Sequence, residues 1–502
     1  MSLSSETTSS DAASSDVARL GVALDELFPS ATRTGDGHVS AVSCASDWLQ
    51  IQPGDVYVAL PEGCGNDHGE DGHQHAQRAV SCGAIAVICE QPVPVFDVPT
   101  YLVPDSRDAF GELCQALVSY PTRSIPTIGV TGTQGKSTTI ALLDAIFAAA
   151  GKECGVISSL GCYDGMSHSE GISDAPSAPT LASRLANMAA VPCSHALLEV
   201  SSQSLSQRCV AGIELDAVCV TNITEAHLDL HNSVHNYRET KQRILNLLSP
   251  SGVTILNADD PVCMKWIDRV PGAVLTYGLC AQAEIRARIV ERHSNEQIFV
   301  LTAGSESTAV RTTIVGEHHV SNCLAAAALA LTYGINLQTI ARGIQSVEKL
   351  PGRMERVDCG QGFPVYVDAA ETPDALRATL RIARQLARGR VICVLGEKIS
   401  ASATEDYAVC QIVRRMADLV IVTRPLPGGT DCNSAAVELV PDRRAAIAWA
   451  VSVAEPGDVV VIVGSQTPPR CAFGTQSDDL SDTEIARQHL YARNQAALRV
   501  AA

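Results

Sequence analysis

The stretch from Ile125 to Thr139 reads Ile-Pro-Thr-Ile-Gly-Val-Thr-Gly-Thr-Gln-Gly-Lys-Ser-Thr-Thr, and it constrains the chain more than any other. A short apolar run with Ile128 and Val130 enters a loop bearing Gly132 and Gly135. The loop delivers Lys136 and Ser137 into a helix-like run from Thr138 to Ala150. Glycines let backbone N–H groups converge on anionic oxygens, and the following helix N-terminus adds its dipole. Gly132, Thr133, Gln134, Gly135, Lys136, Ser137 and Thr138 therefore read as a phosphate cradle for a nucleotide. Lys136 would neutralise β/γ-phosphate charge, and the Ser137 hydroxyl would ligate Mg2+. The strict eight-residue pattern needs glycine where Val130 stands, so the loop is a shorter variant. The plain alternative is a Gly-rich strand-to-helix turn carrying a surface lysine.

A chain of 502 residues is long enough for about three domains. Apolar residues make up 46% and aromatics only 4%. Cores of Val, Ile, Leu and Ala between short turns indicate α/β layers. The net charge of −18 argues against a broad nucleic-acid surface, so an anionic ligand must be met by local cations such as Lys136. The 18 cysteines are scattered without a Cys-x-x-Cys pair, which fits reduced, buried thiols of a cytosolic protein better than a disulfide framework or a zinc site. The N-terminus, Met-Ser-Leu-Ser-Ser-Glu, has neither a basic start nor an apolar core. No stretch approaches the roughly 18 uninterrupted apolar residues of a membrane span. A cytoplasmic protein without membrane or nucleic-acid partners is expected, and a monomer.

Along the chain, residues 1–17 are rich in Ser, Ala and Asp and are expected to be a disordered tail. Residues 18–124 pattern as compact α/β, with strands at Val56–Leu60 and Ala84–Ile88 and a helical run from His73 to Cys82. The His- and Asp-dense stretch from Asn66 to His75 matches no ligand spacing and is expected to be a solvated loop. Two prolines between Tyr120 and Pro126 suggest a hinge.

Residues 125–350 alternate strands and helices. Runs at Ala196–Val200 and Ala217–Asn222 are buried strands with polar ends. Ligands of doubly wound domains sit beyond the carboxyl ends of strands, which puts Glu199 and Asn222 within reach of a nucleotide at Lys136. Glu199 would be a direct or water-mediated Mg2+ ligand, or else a helix-capping acid. His227 and His231 are spaced i, i+4 but lack the Glu after the first His that a zinc hydrolase needs. Tyr237 to Lys241 begins an amphipathic helix, and spacing alone makes Lys241 an ordinary surface lysine. A strand at Gly252–Leu256 and further α/β alternation follow. Gly316 to Asn322 precedes an Ala/Leu-rich helix, and Leu350-Pro351-Gly352-Arg353 marks the next boundary. Residues 351–502 carry expected strands at Pro364–Val367, Arg390–Leu395, Leu419–Val422 and Asp458–Val463, with helices at Pro373–Leu386 and Arg443–Ala454.

Together these blocks resemble the Mur ligases, most of all the MurE type, over nearly the whole chain after the tail. Thr131 to Ser137 is similar to the family's ATP loop, and Glu199-Val200-Ser201-Ser202 to its Glu-Val-Ser-Ser block. Thr221-Asn222-Ile223 and His227 to His231 resemble the block after the next strand. Tyr237 to Lys241 resembles the lysine helix, Gly316-Glu317 with Asn322 the adenine-side linker, and Gly352 to Glu355 the hinge whose Arg353 meets ATP. Asp368, before Thr372 to Leu376, resembles the start of the C-terminal domain near the nucleotide. The resemblance implies a three-domain α/β fold: a small N-terminal UDP-substrate domain at 18–124, a central P-loop parallel-sheet ATPase domain at 125–350 and a Rossmann-like domain at 351–502. It implies ATP and Mg2+, a catalytic set of Lys136, Glu199, His227 and Lys241, and metal contacts from Ser137, Glu199, His227 and a carbamylated Lys241. The implied reaction adds an amino acid to UDP-N-acetylmuramoyl-dipeptide, a peptidoglycan precursor, through an acyl phosphate that the amine displaces.

Departures from the pattern bear on substrate. The family's Asp-Ser-Arg at the UDP end stands as Asp47-Trp48-Leu49, and its Thr-Thr-Pro as Asp174-Ala175-Pro176. Ala226 replaces an Asp, and Ala369-Ala370-Glu371 replaces a Tyr-Ala-His segment. Glu397 to Ser400 and Gly464 to Pro468 replace glycine-rich and Gly-Lys-Gly-His-Glu motifs. The Asp-Asn-Pro-Arg signature that reads the incoming amino acid is missing around Thr423-Arg424-Pro425. Three readings follow: a MurE-type ligase with unusual contacts, a paralogue with another acceptor or little turnover, and a non-catalytic ATP-binding regulator or scaffold. Retention of Ser137, Glu199, His227 and Lys241 speaks against the last.

Overall fold

Runs of Val, Ile and Ala, too short for helices and apolar on both faces, become the central strands of three sheets. The computed structural model describes residues 21–62, 70–171, 175–224, 228–280, 282–370, 372–396, 403–425, 436–464 and 480–501. The chain divides into two compact units, Met1–Tyr120 and Pro121–Ala502.

In the first unit a five-stranded sheet runs in the order Thr32–Thr34, Thr100–Leu102, Ala86–Cys89, Val56–Val58, Cys44–Ala45. All neighbours are parallel except the first pair. The expected helix from His73 starts differently. A 3-10 turn at Gly72–His75 precedes a short helix, Ala76–Ser81. Residues 66–69 of the His-rich stretch lie outside the described residues, but the expectation of a solvated loop fails at its end. His73 and His75 are each only 8% exposed. The His73 ring sits 2.6 Å from Asp71 and accepts the Glu90 N–H through Nε2 (3.0 Å), so it braces the neighbouring strand end.

The second unit carries an eleven-stranded and a six-stranded sheet. In the larger one, Cys154–Ser158, His195–Glu199, Thr127–Thr131, Leu215–Val220, Leu248–Asn257, Ala273–Gly278 and Ile285–Arg292 are neighbours and all parallel. The expected α/β alternation through 251–350 is corrected at 285–312, where Ile285–Arg292, Gln297–Ala303 and Glu306–Thr312 form an antiparallel meander. Its alternating burial explains the difference: a sheet flank with one face on the core needs period two and no crossover helix.

The helix Lys136–Ala149 buries Ile140, Leu142, Leu143, Ile146 and Phe147 between the sheet and the Ala-rich helix Glu317–Thr332. Burying those five side chains contributes on the order of 10 kcal/mol. The six-stranded sheet, in the order Glu355–Val357, Val365–Asp368, Val459–Val463, Val391–Leu395, Leu419–Val422, Ala436–Leu439, is parallel beyond its first pair. The Pro373–Leu386 helix forms as expected, capped by Thr372, whose hydroxyl accepts the Ala375 N–H. Among the described residues no helix is long and apolar enough to cross a membrane.

Candidate active site

The strand Thr127–Thr131 lies between His195–Glu199 and Leu215–Val220, in register through Leu198, Gly129 and Val218. Its carboxyl end therefore opens beside Glu199 on one side and Thr221 and Asn222 on the other. The loop that follows is squeezed between two polar side chains. A Cβ on Gly132 would stand 1.9 Å from Thr221 Oγ1, and one on Gly135 would stand 2.3 Å from Asn322 Oδ1. Both glycines also hold positive φ, +149° and +86°, which L side chains rarely adopt.

Asn222 holds the loop in shape. Its Oδ1 accepts the Gln134 N–H, its Nδ2 donates to Gln134 O (both 3.0 Å), and its own carbonyl accepts the Thr133 N–H at 2.8 Å. Thr221 Oγ1 donates to the same Gln134 carbonyl. On the far side, Thr133 Oγ1 and the Tyr237 hydroxyl are 2.8 Å apart. The Thr224 N–H donates to Thr133 Oγ1 at 2.9 Å.

The helix Lys136–Ala149 begins without a side-chain cap, with Gly135 at the cap and Lys136 at the first position, and no acid lies in its first turn. Helices starting after Ser177, Ser233 and Asn336 are capped by those side chains. A lysine at the positive end of a helix dipole is unfavourable unless an anion joins it. An uncapped, lysine-bearing N-terminus behind a glycine loop fits a polyphosphate.

Lys136 Nζ donates to Thr133 O (3.3 Å) and lies 3.9 Å from Glu199 Oε1. The other Glu199 oxygen accepts the backbone N–H (2.9 Å) and the hydroxyl (3.1 Å) of Ser159. Ser159 Oγ is in turn 2.7 Å from Ser137 Oγ. A carboxylate and two hydroxyls at the mouth of the cradle are hard oxygen donors of the kind Mg2+ prefers. Among the described residues, no three His, Cys, Asp or Glu side chains gather as a metal site. Thr138 is buried on the helix's first turn.

Lys241 overturns the spacing-based expectation of a surface lysine. Its helix, Val234–Gln242, starts three residues earlier than expected, with Ser233 Oγ accepting the Asn236 N–H at 3.1 Å. Tyr237 and Lys241, four apart, share the inward face; Tyr237 is fully buried and Lys241 is 1% exposed. Lys241 Nζ is 3.4 Å from Thr131 Oγ1 and 5.3 Å from the centre of the Tyr237 ring. Burial pushes its pKa well below the ordinary lysine value; nearby Lys136 lowers it further and Glu199 opposes.

The structure gathers Gly132, Thr133, Gln134, Gly135, Lys136, Ser137, Glu199, Asn222, Lys241 and Asn322 around one strand end. Arg353 and Asp368 form a separate pair. Asp368 accepts the Met354 N–H and the Thr379 hydroxyl (both 2.8 Å), and an Arg353 Nη is 3.5 Å from Ala369 O. His227 lies outside the described residues, as do Asp174, Glu371, Glu397 to Ser400 and Ser465 to Pro468. Sequence reasoning missed Ser159, although it follows the neighbouring strand's carboxyl end, where the same topological rule would have found it. It also missed the second layer: Asn257 Nδ2 donates to Thr221 O and Asp260 accepts the Ile223 N–H, both at 2.7 Å.

Comparison with known proteins matches this geometry to a family. Residues 130–330 match the Mur ligase middle domain and residues 352–466 the Mur ligase glutamate ligase domain. The chain belongs to the Mur ligase family. A relative from Geobacillus thermodenitrificans, named UDP-N-acetylmuramoyl-L-alanyl-D-glutamate–2,6-diaminopimelate ligase, is 32% identical over 470 residues, covering 90% of this chain and 95% of the relative. A solved structure of a ligase of that name superposes with a TM-score of 0.67 at 24% identity, over 95% of this chain and 100% of that one. A MurF ligase from Thermotoga maritima in complex with ADP superposes at 0.61 and 18% identity, over 92% and 98%. The three-domain α/β Mur ligase fold is thus the fold of this chain.

Proposed function

We propose that this Mur ligase uses ATP to form an amide between an amino acid and UDP-N-acetylmuramoyl-dipeptide, in peptidoglycan precursor synthesis. The observation that carries the reading is the Lys136–Glu199–Lys241 cluster at the mouth of an uncapped, glycine-cradled helix. The names of its relatives at about one-third identity support the substrate class.

In this reading ATP supplies the phosphoryl group that turns a substrate carboxylate into an acyl phosphate, and Mg2+ would supply positive charge against the phosphate oxygens. The protein's part is positioning and charge neutralisation. Loop N–H groups and the helix N-terminus hold the phosphates. Lys136 balances negative charge as it shifts between oxygens. Ser137, Glu199 and His227 would hold Mg2+, with Ser159 orienting the Glu199 carboxylate. Lys241, dry and short of a full counter-charge, holds its proton weakly, and a neutral amine can take up carbon dioxide. The resulting carbamate would complete a second Mg2+ site. Asn322 and Arg353 would face adenine and phosphate, and Asp368 fixes the backbone beside Arg353. The domains divide near 124 and 350, and the protein works as a cytoplasmic monomer.

A second reading, another acceptor amine, draws on one observation. Arg424 stands where the family's amino-acid signature is missing, and its guanidinium is held by both Asp406 oxygens. Phosphate release from ATP, Mg2+ and UDP-muramoyl-dipeptide, measured across a panel of amines, separates the readings. Release with diaminopimelate or lysine supports the first, and release only with another amine supports the second. Silence across the panel despite measured ATP binding would sink both.

A further inference from the structure

In the first unit, two thiols 70 positions apart meet. Cys44 lies on the edge strand Cys44–Ala45, and Cys114 lies on the buried face of the helix Ser106–Leu117. Their sulfurs are 3.8 Å apart. A disulfide needs about 2.05 Å, so roughly 1.8 Å of closure is required. The edge strand can supply it, because it is paired to the sheet only at Cys44↔Val56 and Ala45↔Tyr57. The helix is anchored by Leu113 and Phe110 in the core. Access is asymmetric: Cys44 is half-buried while Cys114 is buried.

We propose that Cys44 and Cys114 form a reversible oxidation site, taking a hydroperoxide as oxidant. The Cys44 thiolate attacks the peroxide, the O–O bond breaks, and an alcohol or water leaves, giving a sulfenic acid on Cys44. The Cys114 sulfur then displaces water and the S–S bond closes. Two thiols lose two hydrogens, and the peroxide is reduced to water and the alcohol. Three buried cysteines elsewhere are shielded from this chemistry. Burial pushes the thiols of Cys89 up to about 11 and of Cys154 and Cys393 up to about 12, which suppresses the reactive thiolate. The bond would fasten the edge strand to the helix and restrain the turn at Trp48–Gln50, three residues on.

The full-length protein, treated with one equivalent of tert-butyl hydroperoxide and then alkylated, tests this by tryptic mapping. The expected product joins peptide 34–78 to peptide 108–123. It forms ahead of other oxidised cysteines and disappears with dithiothreitol. Peptide 34–78 also contains Cys64, so Cys64→Ser should keep the link and Cys44→Ser should abolish it. The proposal is overturned if both peptides stay reduced while other cysteines oxidise, or if the link is lost in Cys64→Ser.

Discussion

Asn222→Ala is the sharpest test of how the cradle is held. The substitution leaves the strand and the loop sequence untouched and removes two hydrogen bonds to one residue, Gln134. The two ends are unequal. The Gln134 carbonyl keeps Thr221 Oγ1 as a donor, so losing Asn222 Nδ2 there costs about 1 kcal/mol or less. The Gln134 N–H loses its side-chain acceptor in a half-buried place, at about 1–2 kcal/mol. The loop would then have to be ordered by the nucleotide instead of beforehand, and about 1–3 kcal/mol moved onto binding weakens ATP roughly 5- to 150-fold. ATP affinity by equilibrium dialysis, with circular dichroism to show that the variant is folded, measures this. Asn222→Asp keeps an acceptor for the Gln134 N–H and should fall between wild type and Ala. ATP affinity within about threefold of wild type in a folded Ala variant would refute the argument that Asn222 preorganises the loop.

Gly135→Ala adds the cost of a left-handed residue, about 1–2 kcal/mol, to a Cβ 2.3 Å from Asn322 Oδ1. ATP binding should fall at least tenfold, and Asn322→Ala in the same chain should recover part of it. Glu199→Gln keeps an acceptor for Ser159 but removes the charge near Lys136, so turnover should drop 100-fold or more, roughly the scale of losing one electrostatic catalytic group, while ATP binds nearly normally. An equal loss in binding would point to a purely structural Glu199. Asp144 gives a pH prediction, because burial pushes its carboxyl up to about 6. The native state then holds a proton that the unfolded chain has released, so stability falls as pH rises from about 4 to about 6 and is level above. Asp144→Asn should stabilise at pH 7 by up to about 3 kcal/mol and gain nothing near pH 4, read as the shift in urea midpoint at the two pH values.

By itself the sequence determined the strand, glycine loop and helix start at 127–149, because a glycine loop between an apolar run and a Lys-Ser helix start is a local pattern that needs no distant partner. It also determined most strands and helices, including the Pro373–Leu386 helix to the residue. Only the tertiary structure decided what surrounds the loop. Lys241 reads as exposed on its own helix, yet it is buried because that helix packs its inward face against Thr131, 110 positions away. Ser159 acquires meaning only when Glu199, 40 positions on, folds beside it. The meander at 285–312 was hidden because its period-two pattern adds strands to a flank instead of crossing over the sheet. Local patterns are written in consecutive residues, whereas burial and hydrogen-bond partnership belong to pairs that only the fold brings within a few ångströms.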